Sequence, residues 1–212
     1  MTVLDVDKAA AAVSALLLAL GVEEGAHTAD TPGRVARAWA EQLAGYQEDP
    51  ADHLGRTFPA PADAGLVMVS GIRVVSTCAH HLLPVVGTAT VAYRPRPGAE
   101  VVGLSKFARV VEGYARRLQV QEQLGRQVAD AVAERLDPDG AACIITAAHG
   151  CMALRGVGQP ATVTTTHAWA GAWSPDRVSG RCAGRGAIAV DRDAVLAEHT
   201  RSVAGFKGGP VW

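Results

Sequence analysis

The segment VVSTCAHHLLPVVG, Val74 to Gly87, sets one cysteine and two adjacent histidines between two apolar runs rich in β-branched residues. Cys78 and His81 are separated by two residues, a spacing that lets both side chains reach one ion from a turn. Much further along, HGCMALRGV supplies His149 and Cys151, whose i and i+2 spacing predicts one shared face of a strand. Thiolate and imidazole are borderline-soft ligands that suit Zn²⁺, and three protein ligands with one open position mark a catalytic ion rather than a structural one. Cys78, His81 and Cys151 are therefore read as metal ligands, which leaves His80 and His149 as acid/base groups. A single Cys/His pair in an apolar segment is more often packing. A second pair at another strand end makes a shared ion the better account. Cys143, within an apolar strand, and Cys182, in the tail, carry no such signal.

The rest of the chain must position these groups. Its 212 residues suffice for one domain with a helical extension. At 49% hydrophobic and 19% charged residues the composition is that of a globular protein. The net charge is −1, without basic or acidic blocks, so composition makes no case for nucleic acid or membrane partners. The longest apolar run, Ala9 to Leu20, is too short for a spanning helix, and acidic Asp5 and Asp7 precede it where a signal peptide would be basic. A reducing cytoplasm is expected, where cysteines beside histidines point to metal or catalysis rather than disulfides.

The pattern predicts an alanine-rich first helix ended by Gly21. A second, DTPGRVARAWAEQLAGY, has Thr31 as N-cap, Pro32 at its first helical position, and an apolar face of Val35, Ala38, Trp39 and Leu43. A Pro/Ala/Asp-rich stretch from about Glu48 to Asp63 reads as a connection. Two strands then bracket the Cys-His-His segment. Two helices follow, one lined by Phe107, Val110, Val111 and Tyr114, the other by Leu124, Val128, Val132 and Leu136, and then two more strands. Strand-strand-helix-helix-strand-strand is an α+β pattern in which the helices cover one face of an antiparallel sheet. The expected organisation is a helical arm and linker over 1–63, a catalytic domain over 64–173, and an atypical tail over 174–212 with a short helix from Asp191 to Thr200.

Five blocks in order, DTPGRVARAW, STCAHHLLP, VVGLSKFARVVEGYARRLQVQEQL, HGCMALRGV and ATVTTT, resemble GTP cyclohydrolase I across nearly the whole chain. The resemblance implies a tunnelling fold behind the helical arm. It also implies a homodecamer of two face-to-face pentamers with active sites between subunits, acting on GTP with Zn²⁺ as cofactor. The implied ligands are Cys78, His81 and Cys151, the set already suggested by the chemistry. His80 and His149 match the family's proton-transfer histidines, and Ser105 a serine near the ribose. Glu122, with Gln121 beside it, matches the carboxylate that anchors the guanine edge. Arg34, Lys106, Arg109 and Arg155 match the cluster that holds the triphosphate, a ligand that wants several cationic groups.

The implied reaction converts GTP and water to formate and 7,8-dihydroneopterin triphosphate, the first step of folate, pterin or deazapurine synthesis. Zinc would bring the pKa of a water towards ~7. His149 would protonate N7 so that C8 is attacked, and His80 and Ser105 would serve the ribose rearrangement.

Departures from the family pattern are Ala79, where Cys-Glu-His-His is usual, Gly150, expected to loosen its strand, Leu118 in place of a common proline, and the tail after Trp173. Competing expectations are a cyclohydrolase that acts on another purine nucleotide or stops at a ring-opened intermediate, and a catalytically silent, zinc-stabilised nucleotide-binding oligomer. A nitrile reductase, which shares the fold, would use a cysteine nucleophile with NADPH instead of this ligand set.

Overall fold

The computed structural model describes residues 4–62, 64–173 and 185–204, with the side chains of the last segment described from 192 onward. Two helices, α1 (Val6–Ala19) and α2 (Thr31–Gln42), form an N-terminal hairpin. Asp5 caps α1 by accepting from the Lys8 amide at 3.0 Å. Thr31 is not the cap of α2: that place falls to Asp30, whose carboxylate is held by Arg34 at 3.0 Å, with Thr31 and Pro32 inside the first turn. Nor does the expected apolar face of α2 bury itself. Ala36 is its one buried residue and Trp39 stays exposed, because the helix packs mainly against α1.

The stretch expected as a plain connection is built into the domain. Two 3₁₀ turns, Ala44–Gln47 and Pro50–Gly55, bury Pro50, Ala51 and Leu54, and β1 (Thr57–Pro59) pairs with β4 (Glu100–Val102).

The central sheet has the order β5-β2-β3-β6-β7. Its long members are β2 (Val67–Cys78), β3 (Pro84–Arg94), β6 (Gly140–His149) and β7 (Val163–Gly171), antiparallel throughout. The short β5 (Leu118–Gln119) adds in parallel beside Thr77 and Cys78 only, so most of the outer edge of β2, like that of β7, pairs with nothing among the described residues. Gly87 sets the β3–β6 spacing, since a Cβ there would lie 2.1 Å from the Thr146 carbonyl oxygen.

Helices α3 (Ser105–Ala115) and α4 (Gln121–Leu136) lie on one face of the sheet, held by the spacing read from the sequence. Phe107, Val110, Val111, Leu124, Val128 and Val132 meet Val74, Ala89, Val91, Ile145 and Ala147 in one apolar layer. Each large buried side chain there contributes about 1.5–3 kcal/mol. The other face is also covered, contrary to the one-sided expectation. Alternation along the strands turns Ala92, Ala142, Ile144 and Trp169 to that side, where they pack with Trp173 and with Val195 of α6 (Arg185–Val203). The helix expected over Asp191–Thr200 is thus longer, and it seals the second face. Residues 174–184, including Cys182, lie outside the described part.

Candidate metal centre and active site

The turn between β2 and β3 carries the Cys-His-His segment. Cys78 closes β2 and is clamped at both ends: its amide donates to the Leu83 carbonyl and its carbonyl accepts from Leu82, both at 2.9 Å. The Ala79 amide donates to the Gln119 carbonyl of β5 at 3.0 Å, tying the turn to the entrance of α4. The second pair arrives on β6, whose last residue, His149, is paired in register with Val85. Cys151 is not on the strand with it. The chain turns at Gly150 into a short helix, α5 (Gly150–Ala153), so the two side chains share a strand-to-helix corner rather than a strand face. Gly150 does not loosen that corner: it is buried against Pro84, and a Cβ would meet the Pro84 carbonyl oxygen at 3.0 Å and its ring at 3.1 Å. The absent side chain lets β6 close on the start of β3, next to the Cys78 turn.

Cys78, His81 and Cys151 come together so that one ligand atom from each lies within 4.8 Å of the others. The Cys78 sulfur is 3.9 Å from Nδ1 of His81 and 4.0 Å from Nδ1 of His80. Cys78 is buried, Cys151 half-buried, and both histidines exposed. The Cys151 thiol is pushed up by burial and then by the charge and hydrogen bond of Cys78. Two sulfurs that cannot comfortably both carry charge are what a divalent cation relieves, and this donor set could hold a metal ion.

His149 stands half-buried beside this group, and its Nε2 donates to Oε1 of Gln121 at 2.7 Å. Its pKa is lowered by burial, which the carboxylate of Glu122 opposes. Gln121 itself is buried, whereas Glu122, the next residue on α4, is exposed. Arg155, just beyond α5, donates to Nε2 of His81.

The other expected site residues stand apart from this group within one chain. Arg34 is on α2, paired with Asp30. Ser105, Lys106 and Arg109 lie on the first turns of α3, with Ser105 and Arg109 exposed. Among the described residues no hydrogen bond or ion pair joins any of them to the cysteines and histidines. Arg109 instead lines a cleft of about 480 Å³ with His53, Glu112 and Arg116, beside another of about 580 Å³ along the open edge of β2. What the sequence did not reveal is the link between Gln121 and His149, which depends on how the first turn of α4 meets β6.

An α+β domain that gathers two cysteines and a histidine at the ends of its strands defines a candidate metal-dependent enzyme. The family model for GTP cyclohydrolase I matches residues 9–182. The chain is 46% identical over 178 residues to GTP cyclohydrolase 1 of Desulforamulus reducens, covering 82% of this chain and 93% of that protein. It is 47% identical to the protein of the same name from Mycobacteroides abscessus, over 84% and 87% of the two chains, and 48% identical to that of Carboxydothermus hydrogenoformans, over 77% and 85%. This chain belongs to the GTP cyclohydrolase I family.

Proposed function

We propose that this protein is a zinc-dependent GTP cyclohydrolase I, converting GTP and water to formate and 7,8-dihydroneopterin triphosphate. The observation that carries the reading is the convergence of Cys78, His81 and Cys151, from segments far apart in sequence, in a chain of this family. Zn²⁺ held by these three residues would supply Lewis acidity that lowers the pKa of a water towards ~7.

The chain's own groups do the remainder. When protonated on both nitrogens, His149 donates its Nδ1 proton to N7 of the guanine, making C8 electrophilic, and its partly desolvated ring favours giving that proton up. Glu122, exposed at the first turn of α4, accepts from the guanine N–H groups. His80 and Ser105 move protons during ribose opening and reclosure. Arg34, Lys106, Arg109 and Arg155 hold the triphosphate, keeping one substrate in place through several steps. Their separation within one chain fits a site completed by neighbouring subunits.

An assembly of that kind, two pentamers face to face, is supported by the open edges of β2 and β7, which offer unpaired backbone groups for strand addition. It is also supported by α1, which buries none of its residues and exposes Leu16 and Leu18, with Leu20 exposed just after it. On this reading residues 64–173 form a tunnelling-fold catalytic domain, 1–63 its helical arm and linker and 174–212 its tail, and the protein works in the cytoplasm. None of the helices described is long and apolar enough to cross a membrane. Ala79 is exposed, so its lack of a carboxylate tunes a neighbouring histidine instead of removing a working group.

The test is to incubate zinc-loaded protein with GTP and follow formate together with the oxidised, fluorescent neopterin. Both products are expected. Zinc binding without formate would move the assignment to another purine nucleotide or a silent nucleotide-binding relative, and formate without pterin would place the block at the ribose rearrangement.

A further inference from the structure

The amide of Gln121 sits over the β6–β7 pair in an orientation that its partners dictate. Nε2 lies 3.0 Å from the Ile145 carbonyl oxygen, 3.0 Å from the Thr164 carbonyl oxygen and 3.1 Å from Oγ1 of Thr166. Two of these are backbone carbonyls, which can only accept, so the NH₂ end of the amide must face them. Oε1 is therefore left facing Nε2 of His149 at 2.7 Å. A carboxamide oxygen carries no hydrogen, so the ring nitrogen opposite must supply it. Neutral His149 is thereby held as the Nε2–H tautomer, with its lone pair on Nδ1. No partner engages Nδ1 among the described residues.

We propose that Gln121 is a positioning residue that fixes the tautomer and ring angle of His149 and turns Nδ1 to the reaction, rather than a group that reads the substrate. Gln121 is 5% exposed, its NH₂ group is taken up by three protein acceptors and its Oε1 already faces His149, which leaves it little to offer a nucleotide. The chain of control runs from sheet carbonyls to amide to ring, three rigid links anchored in the core. The proposal rests on the role given to His149 above, but the tautomer itself is a property of the protein and can be read without turnover.

Magic-angle-spinning ¹⁵N NMR on sedimented, zinc-loaded protein labelled at histidine reads it directly, with the His149 signals identified by difference against His149→Gln. A protonated, pyrrole-type Nε2 with an unprotonated, pyridine-type Nδ1 is expected, and the reverse pattern overturns the proposal without any Gln121 variant having to fold. In Gln121→Met, similar in size but without the amide, mixed tautomers are expected. kcat should fall by about 10- to 100-fold, with KM for GTP within about twofold and zinc content unchanged. Gln121→Glu, which sets a carboxylate oxygen against the Ile145 and Thr164 carbonyls, loses the same anchor and is not expected to restore the pattern. A rise in KM with kcat preserved would instead make Gln121 a substrate contact and sink the idea. Should the parent protein release no formate, the assigned activity fails while the NMR pattern still decides the tautomer; formate release with the wrong tautomer fails this inference alone.

Discussion

Two histidines meet the sheet in different ways. His149, at the end of β6, gives one ring nitrogen to Gln121 and keeps the other open. His199, on α6, gives both away: Nδ1 meets Oγ1 of Thr90 at 2.9 Å and Nε2 meets Oγ1 of Thr146 at 2.8 Å, leaving the residue 3% exposed. Burial lowers the pKa of each, but Glu122 works against that at His149, whereas the nearby His167 adds to it at His199. The partners differ in kind as well. Threonine hydroxyls rotate and accept or donate as needed, so His199 can be satisfied in either tautomer; the anchored amide admits only one. A ring with a spare nitrogen beside a cation site is equipped for proton transfer, and a ring with none is an adhesive.

The comparison can be broken from either side. The widest gap is expected from Cys151→Ala, which should lose zinc and cut formate release by at least ~10³-fold, as metal analysis and the product assay would show. His149→Ala should keep the metal and lose about 10²- to 10⁴-fold in kcat. His199→Ala should do the opposite, leaving the specific activity of the folded protein within about twofold while costing about 1–3 kcal/mol in denaturant unfolding, because the buried Thr90 hydroxyl loses its partner and Thr146 keeps only Thr165. Equal loss of activity in both histidine variants would erase the distinction.

A smaller effect sharpens it. His199 binds its proton less readily folded than unfolded, so its contribution to stability is complete above the ordinary histidine pKa of about 6.5 and is lost as pH falls from there towards the lowered folded value. Around it lie Thr90 of β3, Thr146 of β6 and His167 of β7, while Glu198 is occupied with Arg201 and Ser70. No carboxylate among the described residues raises its pKa. Melting temperature should therefore decline below about pH 6.5, and His199→Gln should flatten the slope, with His149 and His167 supplying what remains. An unchanged slope in that variant would place the sensitivity elsewhere.

How much of this was legible beforehand follows from what kind of signal each part leaves. Phe107, Val110 and Val111, like Leu124, Val128 and Val132, recur at helical spacing because a packed face demands it, and those helices stand where the pattern put them. The ligand atoms of Cys78, His81 and Cys151 meet as their chemistry suggested. The corner at Gly150 was missed because i and i+2 spacing suits a strand equally well, and the close contact with Pro84 that turns the chain is a tertiary fact. The second covered face was missed because α6 docks through Val195 and His199 without a strong apolar stripe, and a histidine held by two threonines leaves no period to read. Gln121 looked like a substrate residue from its place beside Glu122; only the carbonyls of β6 and β7 reveal its other task.

Leu82 carries a last consequence. It adopts φ 56° in the turn after Cys78, a left-handed conformation that costs a non-glycine residue roughly 1 kcal/mol, and it does so while 42% exposed. That strain is held by the paired backbone bonds of Cys78 to Leu82 and Leu83, which fix the shape of the ligand turn. In kinetic terms a turn fixed by its own backbone bonds would leave an ion little loop to order on binding and little to release on leaving. Leu82→Gly removes the strain and the stiffness together. Such a variant should be as stable as the parent or slightly more so, yet exchange its zinc with a chelator several-fold faster, making metal residence time a property written into one exposed leucine.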